Sequence, residues 1–290
     1  MKLLITGGTG FIGTRLALKS VDRGHEVVVL GQINTPAEEA NKVLLESAGI
    51  KVILGAITEA EKLTESLAGC NLVFHLAAAQ HEANVPDQHF YDVNVEGTRK
   101  IIEASIEAGV SRFVHGSTIG VYGSAMDGEI DEEVPPNPVN IYGVTKLKGE
   151  QLALSYADKI PLSVVRISET YGPGDRRLLK LFKAIDKQVF FMIGKGENKH
   201  QLIYVDDLID GMYLAAEKEE ALGQVFVLAG QEVLSTNDMV MAVSKALSTP
   251  LRSFRSPLWP FLLLAVIMEK TLSPLGIQPP LHRRRLDFFR

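Results

Sequence analysis

The sequence feature that most constrains this chain is a glycine-rich segment directly behind a short apolar one. Residues 1–6 are mostly apolar and predict a buried strand, and a helical pattern begins at Phe11. Between them, Gly7, Gly10 and Gly13 give the spacing G-x-x-G-x-x-G. At a strand-to-helix turn, such glycines permit a tight turn, let the backbone approach a pyrophosphate and let the helix pack on the strand. The segment therefore predicts a dinucleotide-binding unit with the phosphates at the N-terminus of the first helix.

Composition argues against several other classes of protein. The net charge of −5 gives no reason to expect nucleic-acid binding. Cys70 is the single cysteine, so no disulfide can form within the chain, and we expect a cytoplasmic protein. A strand that starts at Lys2 leaves no room for a signal peptide. The longest apolar run, residues 258–268, is interrupted by Pro260 and is shorter than the roughly 20 residues that span a bilayer. We predict no metal site.

Apolar segments of strand length alternate with helical patterns along the chain. The strands, such as residues 25–30 and 112–117, are near-continuous apolar runs, which is typical of a parallel sheet covered on both faces. Turn-rich segments become frequent in the second half, without a Gly/Ser linker. We therefore predict an α/β fold with a Rossmann-like, doubly wound parallel sheet in residues 1–165. Residues 166–290 are predicted to form a small mixed α/β substrate-binding lobe, some of whose elements return to the sheet.

Local patterns predict where several helices begin. A threonine followed three residues later by a glutamate, at 35–38 and again at 58–61, predicts two capping boxes. Residues 89–108 are predicted to form one helix. Asp206 and Asp207 are interpreted mainly as caps of the helix that follows them.

The end of the second strand bears on the choice of cofactor. An acidic residue there would bind the ribose of NAD, and an arginine would bind the 2′-phosphate of NADP. This chain has neither and instead places Gly31, Gln32 and Asn34 at that point. No lysine or arginine occurs between Arg23 and Lys42. The segment favours NAD, with NADP as the alternative.

A tyrosine and a lysine four residues apart predict the reacting groups. Tyr142 and Lys146 would lie on one face of a helix, and none of the other tyrosines has a lysine at this spacing. Lowering the pKa of a phenol by about 3 units takes roughly 4 kcal/mol, which a nearby ammonium and a positive nicotinamide ring could supply. Tyr142 could then exchange a proton with an alcohol or a ketone as hydride is transferred. The alternative is an ordinary surface pair whose tyrosine packs in the core.

Two hydroxyl side chains follow the fifth predicted strand. Ser117 and Thr118 would stand at the carboxyl edge of the sheet, where ligands bind in folds of this kind. A hydroxyl there can hydrogen-bond a reacting oxygen. The simpler interpretation is that both residues begin a turn.

Further motifs resemble those of the extended short-chain dehydrogenase/reductase family, in its NAD-dependent epimerase/dehydratase group. The matching segments follow the family's order and are residues 6–13, 75–78, 94–98, 117–118, 121–123, the Tyr142/Lys146 pair, 171–173 and 205–208. The resemblance implies that Tyr142 is the acid/base and that Lys146 also holds the nicotinamide ribose. It implies that Thr118 completes a catalytic triad, and that the protein is a homodimer.

The glycine motif and the resemblance together imply a set of site residues. The catalytic residues are Thr118, Tyr142 and Lys146. The predicted cofactor-binding residues are Gly7, Gly10, Phe11, Ile12, Gly13, Gly31, Gln32, Ala56, Ile57, Leu76, Ala77, Ala78, Asn94, Ser117, Tyr142, Lys146 and Ser168. The predicted substrate-binding residues are Thr118, Glu169, Arg176, Lys199 and His200.

Three positions depart from the family pattern. Ala56 stands where the family often has an aspartate that contacts adenine. Glu169 stands where an asparagine is common. Residues 199–201 are Lys-His-Gln, where sugar-nucleotide members usually carry an arginine on the diphosphate. The first departure bears on cofactor affinity, and the other two weaken the case for a nucleotide sugar.

Two enzymatic functions are compatible with these residues. We favour an NAD(P)-dependent epimerase or dehydratase that acts at a carbinol carbon of a nucleotide sugar, with Arg176, Arg177 or Lys199 on the diphosphate. The alternative is a dehydrogenase or ketone reductase for a lipophilic alcohol, resembling 3β-hydroxysteroid dehydrogenases and dihydroflavonol reductases. A redox-sensing module without catalysis is a third function, which the intact Tyr142/Lys146 pair disfavours.

The apolar segment at residues 257–275 supports the lipophilic alternative. It could line an apolar pocket or rest on a membrane surface. We favour the simpler interpretation, which is a packed C-terminal helix.

Overall fold

The computed structural model of the 290-residue chain describes residues 1–80, 85–123, 128–252, 254–272 and 279. The chain forms two compact units. The first comprises Met1–Gly174 and Ile203–Ala229, and the second comprises Asp175–Leu202 and Gly230–Arg290. The predicted division after residue 165 falls inside a strand of the first unit.

The elements are numbered in chain order. The strands are β1 (Lys2–Thr6), β2 (Glu26–Gly31), β3 (Lys51–Leu54), β4 (Leu72–His75), β5 (Arg112–Thr118), β6 (Leu162–Ile167), β7 (Thr170–Tyr171), β8 (Met192–Ile193), β9 (Lys199–His200), β10 (Ile203–Tyr204), β11 (Val225–Leu228), β12 (Leu234–Ser235) and β13 (Arg255–Ser256). The α-helices are α1 (Phe11–Asp22), α2 (Pro36–Ser47), α3 (Ala60–Leu67), α4 (Asp87–Tyr91), α5 (Thr98–Glu107), α6 (Ile141–Leu154), α7 (Arg176–Asp186), α8 (Val205–Glu217), α9 (Thr236–Leu247) and α10 (Trp259–Leu272).

Seven strands of the first unit form one parallel sheet, in the order β11-β6-β5-β4-β1-β2-β3. Thr6 at the end of β1 lies opposite Leu30 of β2 and His75 of β4. The strand order reverses between β1 and β4, and in such sheets ligands bind at this switch point, outside the carboxyl ends of the strands. The predicted Rossmann-like α/β fold is confirmed, and it brings the loops after β1 and β4 to one edge.

Apolar clusters cover both faces of the sheet, because successive residues of a strand point to opposite sides. Leu3 and Ile5 belong to one cluster, together with Tyr213 of α8. Leu4 belongs to the other, together with Ile101 of α5. Burial on both faces explains why the strands read as near-continuous apolar runs.

Helix starts agree with the sequence at α2 and differ at α3. Thr35 caps α2, because its hydroxyl oxygen accepts a hydrogen bond from the backbone N–H of Glu38. The Glu38 carboxylate accepts from the N–H of Asn34, at 2.7 Å, so only the Thr35 half of the predicted capping box is formed. The predicted capping box at 58–61 is wrong, since α3 follows Glu59 without a side-chain cap. The Glu59 carboxylate instead accepts a hydrogen bond from the backbone N–H of Ala56, at 2.8 Å.

Asp206 of α8 forms ion pairs with two residues of α1. No side chain caps α8 within the described residues, so the interpretation of Asp206 and Asp207 as caps is wrong. The Asp206 carboxylate accepts two hydrogen bonds from Arg15, at 2.7 and 2.8 Å, and lies 3.0 Å from the Lys19 ammonium. The hydrogen bond from Arg15 is the main reason why the pKa of Asp206 is lowered to about 2. This contact holds the helix whose N-terminus follows the glycine-rich loop.

The second unit has a smaller core of its own. Helices α7 and α9 pack against each other, and Ile185, Met192 and Val240 are buried between the elements of this unit. Ser235 caps α9 in a complete capping box. Nowhere in the described ranges does a helix combine the length and the hydropathy needed to cross a bilayer.

The ion pair between α1 and α8 gives a stability prediction. We expect Asp206→Ala to lower the free energy of unfolding by about 1.5–3 kcal/mol, because Arg15 and Lys19 lose their charged acceptor. Asp207→Ala, at the next and exposed position of the same turn, is the matched control and should change little. Both would be measured by urea unfolding. A carboxylate with a depressed pKa stabilises the fold only while ionised, so the difference between the variants should shrink as pH falls from 3.8 towards about 2. If both variants lost the same free energy of unfolding, the stabilising role of the Asp206 ion pair would be contradicted.

Candidate active site

The glycines of the loop after β1 differ in the space around them. Gly7 has a φ of +69°, and a Cβ there would lie 2.7 Å from the backbone nitrogen of Ala77. A Cβ on Gly13 would lie 2.4 Å from the carbonyl oxygen of Gly7. A Cβ on Gly10 would meet only that same oxygen, at 3.2 Å. The fold itself therefore requires Gly7 and Gly13, whereas Gly10 borders open space.

The N-terminus of α1 opens onto this space. Gly10 is the N-cap residue, and no side chain of the described chain caps the helix. The first turn, with Phe11, Ile12 and Gly13, carries no acidic residue and offers backbone N–H groups at the positive end of the helix dipole. A pyrophosphate fits this cradle, because the space at Gly10 is open and the donors are backbone groups.

The carboxyl ends of β2 and β3 lie side by side at the same edge. Gly31 ends β2 so close to Thr9 that a Cβ would lie 2.5 Å from the threonine hydroxyl oxygen. That hydroxyl donates to the backbone carbonyl of Gln32, at 2.9 Å, and the Gln32 side chain is exposed. Ala56 and the buried Ile57 follow β3. The exposed amides of Gln32 and Asn34 are thus polar side chains that this edge offers to a ribose.

A buried hydrogen-bond relay holds the loop after β4, which contains residues 76–78. The backbone N–H of Ala77 donates to the Thr6 hydroxyl oxygen at 3.3 Å, and that oxygen lies 2.7 Å from Nδ1 of His75. Nε2 of His75 lies 3.0 Å from the hydroxyl of Thr98, which donates its own proton to a backbone carbonyl. These partners place the proton of the ring on Nε2. Burial lowers the pKa of His75 to about 3, so the ring is neutral.

Asn94 ties this loop to α6. It lies buried in a π-helical turn, Asp92–Gly97, which interrupts the single helix predicted at 89–108. Its amide oxygen accepts a hydrogen bond from the N–H of Ala79 at 2.8 Å, and its NH₂ group donates to the Ala79 carbonyl and to the Thr145 hydroxyl, at 3.2 and 3.0 Å. Three of the four hydrogen-bonding positions of the amide are thereby used. Asn94 therefore positions the loop after β4 against the helix that carries Tyr142.

A stripe of side chains on α6 contacts the end of β5. The Tyr142 hydroxyl is hydrogen-bonded to the side chain of Thr118. One turn later, the buried Lys146 ammonium donates to the carbonyl oxygen of Gly116, at 2.6 Å. The structure thus brings the three predicted catalytic residues together at the carboxyl end of a central strand.

Burial disfavours the charged forms of both Tyr142 and Lys146. It raises the pKa of Tyr142 to about 12, although the hydrogen bond with Thr118 acts in the opposite direction. It lowers the pKa of Lys146 to about 8, although the Glu150 carboxylate favours the ammonium. The expected lowering of the tyrosine pKa therefore does not arise from the chain's own groups.

The stripe continues to Glu150, which the sequence analysis did not identify. The Glu150 carboxylate accepts a hydrogen bond from Ser117 at 2.7 Å and binds the guanidinium of Arg166 on β6, with a shortest distance of 2.6 Å. Arg166 also donates to the Tyr122 hydroxyl, at 2.5 Å. All four side chains are buried. Ser117, a predicted cofactor-binding residue, thus donates its proton to Glu150. The spacing of four residues from Lys146 was the signal that could have revealed this glutamate.

Two further predicted residues follow β6. Ser168 is buried, and its backbone N–H donates to the carbonyl of Leu228 on β11, at 3.1 Å. Glu169 is half-buried, and its backbone carbonyl accepts a hydrogen bond from Ile203 at 2.9 Å. Both residues lie at the carboxyl edge of the sheet.

The other three predicted substrate-binding residues belong to the second unit. Arg176 is exposed at the start of α7, and Lys199 is exposed in β9. His200 is buried, with Nε2 3.0 Å from the hydroxyl of Thr236. Arg176 and Lys199 are thus solvent-accessible cations, whereas the His200 side chain is buried.

Comparisons with known proteins agree with this geometry. The chain matches the model of the NAD dependent epimerase/dehydratase family over residues 3–229. It is 34% identical to the 4-hydroxy-2-methyl-3-oxo-4-farnesyl-3,4-dihydroquinoline-1-oxide ketoreductase of Stigmatella aurantiaca, over 79% of this chain and 68% of that relative. It is 30% identical to a dTDP-glucose 4,6-dehydratase of Streptomyces niveus, over 85% of this chain and 77% of the relative.

A solved structure shows the same fold. The UDP-glucuronic acid 4-epimerase from Bacillus cereus, in complex with UDP-glucuronic acid and NAD, matches with a TM-score of 0.75 at 29% identity. The match covers 89% of this chain and 86% of the epimerase chain. The family match spans the glycine-rich loop, α6 and the end of β6, and it confirms the predicted enzyme class and its cofactor. The chain belongs to the NAD-dependent epimerase/dehydratase family of enzymes.

Proposed function

We propose that this protein oxidises and re-reduces a carbinol carbon of a nucleotide sugar, with Tyr142 as the acid/base. The observation that carries this proposal is that Tyr142 of α6 meets Thr118 at the carboxyl end of β5, one turn before the buried Lys146, whose ammonium donates to the Gly116 carbonyl at 2.6 Å. Ligands bind at this edge in sheets of this topology. A substrate oxygen placed there can be reached by two hydroxyl groups.

The glycine-rich loop and its neighbours would hold NAD. Its pyrophosphate would lie over Gly10 to Ile12, at the N-terminus of α1, and its adenosine near Gly31 and Gln32. When bound, NAD supplies the acceptor and the donor of the hydride. Ala56 has no polar side chain for adenine, and its N–H is already bonded to Glu59.

Side chains of the protein itself donate the proton to the substrate oxygen and accept it from there. Burial raises the pKa of Tyr142 to about 12, so the phenol is protonated and can donate to a ketone oxygen. Taking a proton from an alcohol requires positive charge near the phenolate. Lys146, with a pKa of about 8, remains largely charged near neutral pH, and the positive nicotinamide ring of bound NAD would add the charge that the chain's own groups do not supply. The Thr118 hydroxyl can donate to the phenolate or to the substrate oxygen.

We propose a nucleotide sugar as the substrate because two proteins that the chain resembles are named for one or are bound to one. A dTDP-glucose 4,6-dehydratase and an epimerase bound to UDP-glucuronic acid both match over most of their length. A diphosphate needs charged hydrogen-bond donors. Arg176 and Lys199, which are exposed in the second unit, are the candidates for that role. His200 is a weaker candidate, because it is buried and its ring nitrogen is bonded to Thr236.

A second candidate function is the reduction of a lipophilic ketone. The ketoreductase of Stigmatella aurantiaca favours it, because its substrate name includes a farnesyl chain. The exposed Leu263 and Ile267 of α10 also favour it, since an apolar substrate requires apolar side chains around it. The two functions differ in whether the protein recognises a nucleoside diphosphate.

The loop geometry separates cofactor binding from folding. We expect Gly10→Val to fold normally and to lose NAD binding, because its side chain fills the space proposed for the pyrophosphate. Gly13→Val, the matched variant one helical turn away, should lower the melting temperature, because even its Cβ would overlap the Gly7 carbonyl. Calorimetric titration with NAD and thermal unfolding would measure the two effects. Wild-type NAD affinity in Gly10→Val would refute the proposed cofactor position.

The acid/base assignment predicts a large loss of turnover. Tyr142→Phe keeps the ring and removes the proton carrier, so we expect turnover to fall about 10²–10⁴-fold while NAD binding is largely retained. Lys146→Met should reduce both. Lys148→Met, an exposed lysine on the same helix, is the control and should change neither. Turnover would be measured with the best substrate from a panel of UDP- and dTDP-sugars. Normal turnover in Tyr142→Phe would mean that another residue carries the proton.

Nucleotide binding distinguishes the two candidate functions. We expect UDP or dTDP to bind the NAD-loaded protein, and Arg176→Ala or Lys199→Ala to weaken binding by roughly ten- to a hundred-fold, because each removes a charged hydrogen bond. Lys218→Ala, an exposed lysine of the first unit, is the control. Binding would be measured by calorimetry. Failure of every common nucleoside diphosphate to bind at millimolar concentration would favour the ketone reductase.

A further inference from the structure

The second unit carries a charge opposite to that of the first. Asp175–Leu202 and Gly230–Arg290 together contain 15 Lys and Arg against 7 Asp and Glu, a net charge of +8. The first unit contains 15 against 28, a net charge of −13. The described residues of the second unit alone hold 11 basic and 6 acidic side chains. Such an asymmetry is typical of a protein region that meets an anionic surface.

Helix α10 of this unit exposes a stripe of large apolar side chains. Residues 259–268, which form most of the helix, include no charged residue. Trp259, Leu263 and Ile267 are 66%, 55% and 49% exposed, and their spacing of four residues places them on one face. Leu264 beside them is 48% exposed. The stripe leaves apolar surface in contact with water, which indicates an apolar partner.

Helix α7 of the same unit turns a basic face outward. Its apolar residues Leu181, Phe182 and Ile185 pack in the core of the unit, whereas Leu179 is exposed. Lys180 and Lys183 lie on the remaining surface and are exposed. The unit therefore presents exposed lysines and, as far as its described residues show, an apolar helix face in contact with water.

We infer that the second unit binds peripherally to an anionic lipid bilayer, with α10 lying in the interface and the lysines of α7 near the headgroups. An anionic bilayer satisfies both features, since an interfacial helix gains from apolar burial and basic side chains gain from anionic lipid. Nucleic acid would satisfy the charge and leave the apolar stripe exposed. A second copy of this unit would cover the stripe and bring a further +8 charge against it. At 14 residues, α10 is too short to span a bilayer.

The position of Trp259 makes this inference directly measurable. It is the single tryptophan of the chain and lies at the start of α10. The full chain would be titrated with phosphatidylcholine vesicles, with and without an equal part of phosphatidylglycerol. We expect the tryptophan emission to shift to the blue with the anionic vesicles, and to be quenched when the vesicles contain brominated lipid. We expect high salt to weaken the binding.

Two pairs of variants test the two features separately. Leu263→Glu with Ile267→Glu places charge on the apolar stripe and should abolish the quenching. Val43→Glu, at an apolar position of α2 that is 57% exposed, is its control.

Lys180→Glu with Lys183→Glu should weaken vesicle binding by at least about tenfold. Lys218→Glu, exposed in the first unit, is the control for that pair. An unchanged NAD affinity in every variant would establish that the first unit is intact.

Three results would overturn the inference. The first is the absence of an emission shift with anionic vesicles at low salt. The second is wild-type vesicle binding by the Leu263→Glu, Ile267→Glu variant, which would exclude α10 from the contact. The third is an emission shift that rises with protein concentration, without vesicles and without quenching by brominated lipid. That result would identify a second copy of the chain as the partner of α10.

Discussion

The arrangement of the candidate active site depends on the buried carboxylate of Glu150. A buried charge is strongly unfavourable unless it is paired and hydrogen-bonded, and Arg166 and Ser117 provide both kinds of contact. These partners lie on β6 and β5, so the pairing fixes α6 against two strands at once. Lys146 and Tyr142 precede Glu150 by one and two helical turns. Their positions at the end of β5 are therefore set by an interaction that does not involve the reacting atoms.

The same carboxylate also acts on the charge of Lys146. Burial lowers the pKa of this lysine, Glu150 raises it, and the result is a pKa of about 8. His75 and His115 beside it remain neutral, because burial lowers the pKa of both rings. They add no positive charge that would further disfavour the ammonium. The site thus keeps one buried cation near its titration range, where a change in a neighbouring charge alters its protonation most strongly.

Periodicity, glycine spacing and the Tyr142/Lys146 pair predicted the sheet, the loop after β1 and the centre of the candidate site, because each is a local pattern with a direct physical meaning. The contacts that were missed join residues far apart in the chain. Asp206 follows a strand end and resembles a helix cap, but α8 packs beside α1 and gives it Arg15 as a partner. The spacing of Glu150 from Lys146 places it on the same helix face, but its pairing with Arg166 could not be assigned from the helix alone, since Arg166 becomes its neighbour only through the order of the strands.

Net charge was the least informative property of the sequence, again because the fold brings together residues that are far apart in the chain. The value of −5 is the sum of −13 for one unit and +8 for the other, and each unit is built from two separate stretches of chain. The fold brings together two basic stretches, residues 175–202 and 230–290, which the acidic residues 203–229 separate in the sequence. The physical consequence differs from that of a uniform −5. An anionic surface attracts the second unit and repels the first. The apolar stripe on α10 lies in the unit that such a surface attracts.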